Sequence, residues 1–309
     1  MSDIAAFALE GVTKRYAAVR ALDAVSFSAP PGQLFGLIGP DGAGKTTTIR
    51  LLCGLLHAEG GRVRLLGHDP VHEHGEITRS VGYLSQRFSL YGDLSIDENI
   101  AFFAEIHGVR DYGAARNRLL DLTGLTPFRG RLAQQLSGGM KQKLALACTL
   151  VHEPALILLD EPTTGVDPVS RREFWKLLAE FLSRGVTIVM ATPYLDEAER
   201  CARVALLHDG RLLAMDRPKA LRDALPGRVA EVVAADERRA AGLMEAMPGV
   251  LGVQLFGERA HVRFDPAIIR DADELSARLG AGGVEGASVR PIPPSLEDVF
   301  IARLDEARS

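Results

Sequence analysis

Between an apolar run at 35–38 and a helix-forming run at 46–56 stand eight residues: Gly39-Pro40-Asp41-Gly42-Ala43-Gly44-Lys45-Thr46. They match G-x-x-x-x-G-K-[ST], and they fall where a strand gives way to a helix. Glycines let successive backbone N–H groups turn toward one point with no Cβ in the way. The helix N-terminus adds the positive end of its dipole to the same point. Such a turn suits a chain of phosphates. Lys45 is then a point charge for the β- and γ-phosphates, Thr46 offers a hydroxyl to Mg²⁺, and Thr47 is expected on another phosphate. A glycine-rich turn that merely begins a helix is the bland alternative, and the strand before it and the Lys-Thr pair after it speak against that. The loop therefore commits the chain to an α/β body with its site at the carboxyl ends of parallel strands.

The residues up to 225 fit such a body. Apolar runs at 81–84, 155–159, 186–190 and 204–207 read as short buried strands, with helical stretches at 136–152, 170–183 and 196–201. Strands alternating with helices predict a mainly parallel sheet covered on both faces. The run at 155–159 leads directly into Asp160-Glu161. Carboxylates at a buried strand end, on the edge that carries the phosphate loop, suit metal binding and water activation. Asp160 would hold Mg²⁺, directly or through water, and Glu161 would polarise the attacking water. Residues 96–133 carry helical rather than alternating periodicity, so a helical insertion is expected over about 96–150.

Near Leu225-Pro226-Gly227 the texture changes. From Pro226 onward there are 10 Arg and no Lys against 14 acidic residues, whereas the preceding residues hold 26 of each sign. The order that follows is strand 229–233, helix 237–247, strands 250–256 and 260–264, helix 271–279 and strand 287–291. This βαββαβ order predicts a small α+β, ferredoxin-like domain over 226–309, closed by a helix at 295–304. Support of the body by packing and regulation of it are both open as its role. No internal repeat is evident, so one catalytic body is expected over 5–225.

Charge and cysteine content exclude several classes. The net charge is −4 and neither portion is basic, which sets aside a nucleic-acid footprint and a polybasic membrane anchor; no nucleic-acid partner is expected. Cys53, Cys148 and Cys201 are an odd number without C-x-x-C spacing, which disfavours a disulfide framework or zinc site and fits a reducing compartment. No apolar run reaches the roughly 18–20 residues of a membrane span, and the first residues lack a basic-then-apolar signal pattern. The expectation is a soluble, cytoplasmic protein whose membrane role needs a partner.

Leu136-Ser137-Gly138-Gly139-Met140-Lys141-Gln142 lies about ninety residues after the phosphate loop and about twenty before Asp160. It resembles the LSGGQ signature of ATP-binding-cassette (ABC) ATPases, with Met where the Gln usually stands. Ser137 and its glycines open a helix whose N-terminus presents N–H groups and a hydroxyl to a phosphate. Alone this is an ordinary N-cap; in combination with the phosphate loop and Asp160-Glu161 it is specific. The resemblance covers 5–225 and implies an ABC-type P-loop NTPase fold with ATP and Mg²⁺ as ligands. It implies that Tyr16 stacks on adenine and that Gln86 is the Q-loop glutamine, sensing Mg²⁺ and the lytic water. Gln86 thus joins Lys45 and Glu161 in catalysis, and Thr46 and Asp160 at the metal. Gly165-Val166-Asp167 resembles the D-loop, with Asp167 meeting a partner subunit. The family implies a head-to-tail dimer in which each ATP lies between one subunit's phosphate loop (Gly39, Pro40, Asp41, Gly42, Ala43, Gly44) and the other's Ser137, Gly138 and Gly139.

Asp41 in the phosphate loop, Met140 in the signature and the tail Pro294-Ser295-Leu296-Glu297-Asp298-Val299-Phe300 resemble ATPase subunits of drug and multidrug exporters of the daunorubicin-resistance type. The chain is also similar to the N-terminal half of bacterial exporter ATPases with two cassettes. The function this implies is ATP hydrolysis on the inner face of the cell membrane, coupled to a separate membrane permease. The alternative is an ABC ATPase acting on ribosomes or DNA; such proteins usually carry two cassettes with a basic linker, or coiled-coil or zinc insertions, and these features are missing here. Residues 88–94, with Phe88, Leu90 and Tyr91, are expected to dock the permease as an exposed apolar loop; burial in the helical insertion is the alternative.

One departure stands out. The family carries a His on the γ-phosphate about 33 residues after the metal aspartate, where this chain has Ala191-Thr192-Pro193-Tyr194; the next His is His208. Proline offers neither a side-chain donor nor an N–H. Either turnover is slow, or water or Thr192 takes over the contact. A slow site predicts a second, non-identical ABC ATPase beside this one in preference to a homodimer.

Overall fold

The computed structural model describes residues 5–86, 90–284 and 286–308. One compact unit runs to Met215 and a second begins at Asp216. The boundary expected at 226 lies earlier because the helix Pro218–Asp223 packs on the last helix of the chain, Leu296–Arg308. Lysine stops at the composition change, but the second compact unit starts before it.

In chain order the first unit holds β1 (Phe7–Tyr16), β2 (Val19–Ala29), β3 (Leu34–Ile38), α1 (Lys45–Leu52), β4 (Gly60–Leu65), α2 (His74–Ser80), β5 (Val81–Leu84), α3 (Ile96–Ile106), α4 (Gly113–Thr123), α5 (Gly138–Leu150), β6 (Leu156–Asp160), α6 (Pro168–Ser183), β7 (Thr187–Thr192), α7 (Leu195–Ala198), β8 (Arg203–His208) and β9 (Arg211–Asp216). Six strands form one sheet in the order β5-β6-β7-β3-β8-β9. Its first five are parallel, with Leu158 beside Val189 and Leu37 beside Ala191. β3, β6 and β7 are buried throughout, which is why they read as unbroken apolar runs rather than alternating ones. β9 returns beside β8 through Asp209-Gly210, both at positive φ (45° and 72°), the backbone of a tight two-residue hairpin.

A second, antiparallel sheet has the order β2-β1-β4 and is not among the elements that the sequence pattern predicts. Its exposed positions include Glu10, Arg62 and Arg64, and register shifts interrupt β1 after Leu9, Glu10, Val12 and Lys14. These shifts break the period-2 signal along β1. Phe7, Phe27 and Phe35 join the two sheets, with Phe7 edge-on to Phe27 at 5.8 Å and to Phe35 at 5.1 Å. Such edge-to-face pairs add to the burial energy.

The insertion is helical, as expected. Ser95 caps α3 in a reciprocal box with Glu98, satisfying two N–H groups that the first turn would leave unpaired. α5 starts at Gly138 rather than at 136, because Leu136 is extended and Ser137 is the cap. α6 starts at Pro168, earlier than the expected 170, because the Asp167 carboxylate caps it.

The second unit holds α8 (Pro218–Asp223), β10 (Arg228–Val233), α9 (Glu237–Glu245), β11 (Val250–Phe256), β12 (Arg259–Phe264), α10 (Ala272–Ala281), β13 (Ser288–Ile292) and α11 (Leu296–Arg308). Its strands pair antiparallel in the order β11-β12-β10-β13, the ferredoxin-like arrangement that the βαββαβ order predicts. Ala230, Val232, Val262 and Phe264 pack with Met244, Leu275 and Leu279 in its core.

Candidate active site

The phosphate loop is shaped by close backbone approach. A Cβ on Gly39 would lie 2.2 Å from the Leu207 carbonyl oxygen of β8, and one on Gly44 2.6 Å from that of Ala21. Gly44 also sits at φ +101°, where L side chains are strained. Lys45, the first residue of α1, is only 4% exposed. Its Nζ donates to the carbonyl oxygens of Gly39 (2.8 Å) and Pro40 (3.0 Å) and lies 3.2 Å from Glu161 Oε1. Asp41 is 4.0 Å from the same nitrogen, but its carboxylate stands almost wholly in water, where screening leaves such a pair weak.

Two other segments, the end of β6 and the residue just beyond β5, deliver their side chains to this point. Thr46 Oγ1 donates to Asp160 Oδ1 at 2.9 Å, and Gln86 Nε2, just beyond β5, donates to Glu161 Oε2 at 3.1 Å. Burial pushes the Asp160 carboxyl above its ordinary range; the Thr46 hydrogen bond opposes this, the neighbouring Glu161 charge adds to it, and Arg50 and Lys45 pull it back. A hydroxyl and a carboxylate side by side are hard oxygen donors, the set that Mg²⁺ prefers. Glu161 adopts φ +50°, uncommon for a residue with a Cβ. Its N–H is held by the Ala191 carbonyl at 2.9 Å.

Lys45, Thr46, Thr47, Gln86 and Glu161 line a cavity of about 450 Å³ together with Tyr16, Val19 and Ala21. Tyr16, at the end of β1, is 42% exposed. Its ring is open to a flat partner, with Lys14 Nζ 5.8 Å from the centroid. The volume is that of a small-molecule site.

Ser137, Gly138 and Gly139 do not line this cavity. They open α5, where Ser137 Oγ accepts the Met140 N–H at 3.3 Å. Gly139 is buried against α6, and a Cβ there would fall 2.2 Å from Ser170 Oγ. The Asp167 carboxylate accepts the N–H groups of Val169 and Ser170, both at 3.0 Å; the Ser170 hydroxyl first, and then these N–H groups, hold it below the ordinary carboxylate range. Gln142, to which sequence reasoning gave no role, is fully buried and donates to the Pro162 carbonyl. It ties α5 to the turn after Glu161.

The Thr192 alternative fails. Thr192 is fully buried; its hydroxyl donates to Glu197 Oε2 at 2.6 Å and accepts the Tyr194 N–H at 3.1 Å, so it is committed away from any phosphate. Of the apolar loop at 88–94, Phe88 lies outside the described residues. Leu90 is half-buried, and Tyr91 is 46% exposed with its ring edge-on to Phe102 at 4.5 Å. Asn99, fully buried, holds the Tyr91, Leu94 and Ser95 carbonyls.

Comparison with known proteins gives a consistent result. The family described as ABC transporter matches residues 22–164. The chain is 41% identical over 318 residues to the probable multidrug ABC transporter ATP-binding protein YbhF of Escherichia coli (strain K12), covering 98% of this chain and 53% of that protein. It thus spans about half the length of that relative. It is 34% identical over 303 residues to the daunorubicin/doxorubicin resistance ATP-binding protein DrrA of Streptomyces peucetius, covering 94% of this chain and 90% of DrrA. Among solved structures it resembles the ATP-binding subunit of an ABC transporter (TM-score 0.64, 28% identity, 70% of this chain and 92% of that one). It also resembles the dimeric bacterial ABC transporter cassette MJ0796 (TM-score 0.63, 26% identity, 68% and 98%). These names speak of transporters and drug resistance, not of ribosomes or DNA. The chain belongs to the ABC transporter ATP-binding proteins, a family of ATPases whose cassettes bind nucleotide.

Proposed function

We propose that this chain is the ATP-hydrolysing subunit of an exporter and drives a separate membrane permease, with drugs or similar amphipathic compounds as cargo. The observation that carries the reading is the convergence of Lys45, Gln86 and Glu161 on one cavity, with Thr46 bonded to Asp160 beside them. Tyr16 stacks on the adenine, and the loop Gly39, Pro40, Asp41, Gly42, Ala43 and Gly44 wraps the phosphates with Lys45, Thr46 and Thr47. Thr46 and Asp160, with Gln86 near them, would hold Mg²⁺, which when bound supplies positive charge to the phosphate oxygens. Glu161 takes the proton of the attacking water, and Gln86 orients that water through its hydrogen bond to the same carboxylate. Lys45 offsets the negative charge that builds on the phosphates.

Ser137, Gly138 and Gly139 complete the equivalent site of a second cassette in a head-to-tail pair. Two features support a membrane partner: the names of the relatives, and the exposed Tyr91 beside half-buried Leu90. No helix among the described residues is long and apolar enough to cross a membrane. On this reading the transport path belongs to the permease, and the chain sits on the inner face of the cell membrane. Pro193 favours a non-identical second cassette, since a site without the family histidine gains from a partner that has it.

Proteoliposomes carrying the permease and this chain test the reading. ATP-dependent export that disappears with Glu161→Gln is expected. Export that continues with Glu161→Gln at every site, or a chain that never co-purifies with a permease, contradicts it.

A further inference from the structure

Glu197, on the short helix α7, is fully buried yet carries a carboxylate. Three donors from three other segments converge on it. Thr163 Oγ1, two residues after Glu161, donates at 2.7 Å; Thr192 Oγ1, the last residue of β7, at 2.6 Å; and Arg171 Nε, from the first turns of α6, at 2.8 Å. A buried charge is tolerated only when paired and hydrogen-bonded, and here every donor comes from a segment that borders the catalytic turn.

That turn is under local constraint. Glu161 sits at φ +50°, and its N–H is bound to Ala191, the neighbour of Thr192. Gln142 holds the Pro162 carbonyl from the α5 side. Glu197 holds the next residue, Thr163, and the β7 end together from the opposite side. Pro193 has no donor with which the β7 end could contact a phosphate, so the link between this loop and Glu161 runs through Glu197 and the Ala191 carbonyl.

Resting on the reading of Glu161 as general base, we propose that Glu197 is a positioning residue that fixes the 161–163 turn, and with it the Glu161 carboxylate, for proton transfer. It does not touch the reacting atoms. Its loss moves the base and leaves the phosphate loop in place.

The test is steady-state hydrolysis and equilibrium ATP binding by the protein in its transporter complex, for wild type, Glu197→Gln, Thr163→Val, Glu161→Gln and Glu161→Gln/Glu197→Gln. Glu197→Gln is expected to lower kcat about 10- to 100-fold, the size of a misplaced catalytic group, with the ATP Kd unchanged. Thr163→Val, which removes one donor, is expected to lower kcat by a smaller factor, and it carries the test alone should Glu197→Gln not fold. In the Glu161→Gln background Glu197→Gln is expected to cost nothing further, because a residue acting through Glu161 has nothing left to position. The inference is overturned if Glu197→Gln lowers the residual rate of Glu161→Gln by the same factor as it lowers the wild type, if it weakens ATP binding as much as turnover, or if Thr163→Val leaves kcat unchanged. Wild-type hydrolysis by Glu161→Gln would instead remove the general-base reading, and the positioning role with it.

Discussion

Asp160 is buried beside a second carboxylate, and burial holds its carboxyl above the ordinary range. The folded state therefore binds this proton more tightly than the unfolded chain does. At neutral pH the charged form is a cost to the fold, relieved as pH falls through the raised value. Asp160→Asn keeps the shape and can still accept from Thr46. We expect it to raise the melting temperature of the nucleotide-free protein in a chelator at pH 7, and to abolish the further rise that Mg²⁺ with ATP gives the wild type. A lower melting temperature with the Mg²⁺-dependent rise intact would mean that Asp160 is a structural acid. This is stability given up for function at a single side chain.

At the scale of elements, two contacts make separate predictions. Gly139 leaves no room between α5 and α6, since a Cβ would lie 2.2 Å from Ser170 Oγ and 2.7 Å from its Cβ. Gly139→Ala is expected to destabilise the fold by about 1–3 kcal/mol through overpacking. Ser170→Gly in the same chain should recover most of that in a urea titration, and no recovery would place the fault elsewhere. The second contact stacks His107, at the end of α3, on His152, just beyond α5, with ring centroids 3.7 Å apart and planes 5° from parallel. Burial pushes both imidazoles down, His152 to about 4 from an ordinary 6.5, with the neighbouring His107 adding to the effect. The unfolded chain then takes up the proton first, so this stability is complete above about pH 6.5 and is lost as pH falls toward 4. The urea midpoint is expected to drop from pH 7 to pH 5, and to drop less in His152→Gln. Equal slopes in the two proteins would assign the pH dependence to other groups.

The same contacts explain what the sequence does and does not disclose. The phosphate loop, Asp160-Glu161 and Ser137-Gly138-Gly139 are legible because each is a short run whose residue types and spacing are restricted within a few positions. The βαββαβ order is legible because its short strands and helices alternate. β1, β2 and β4 are not, because bulges interrupt the alternation of β1 in both of its pairings. Glu197 is not, because its side-chain partners lie 34, 26 and 5 residues away, and a Glu on a four-residue helix looks like surface.

In the whole molecule, each of the two units folds on its own core, and the cavity holding Lys45 has no contribution from Ser137, Gly138 or Gly139. On the reading above, this chain lends those three residues to a second cassette and receives their equivalents in return. Because Pro193 cannot contact a phosphate and Thr192 is bonded to Glu197, hydrolysis should run faster at a partner site that carries the histidine. Pro193→His is expected to raise turnover of this chain alone several-fold, and to raise that of the mixed pair less. Fast homodimeric turnover by the wild type, unchanged by Pro193→His, would remove the asymmetry and leave the ATPase. The ATPase itself is tested most directly by ATP binding and phosphate release measured side by side on wild type, Lys45→Ala and Glu161→Gln. Lys45→Ala is expected to lose tight binding, while Glu161→Gln binds as the wild type does and hydrolyses about 10²- to 10⁴-fold more slowly, the range of a lost general base. Wild-type phosphate release by Lys45→Ala at both sites would contradict the account.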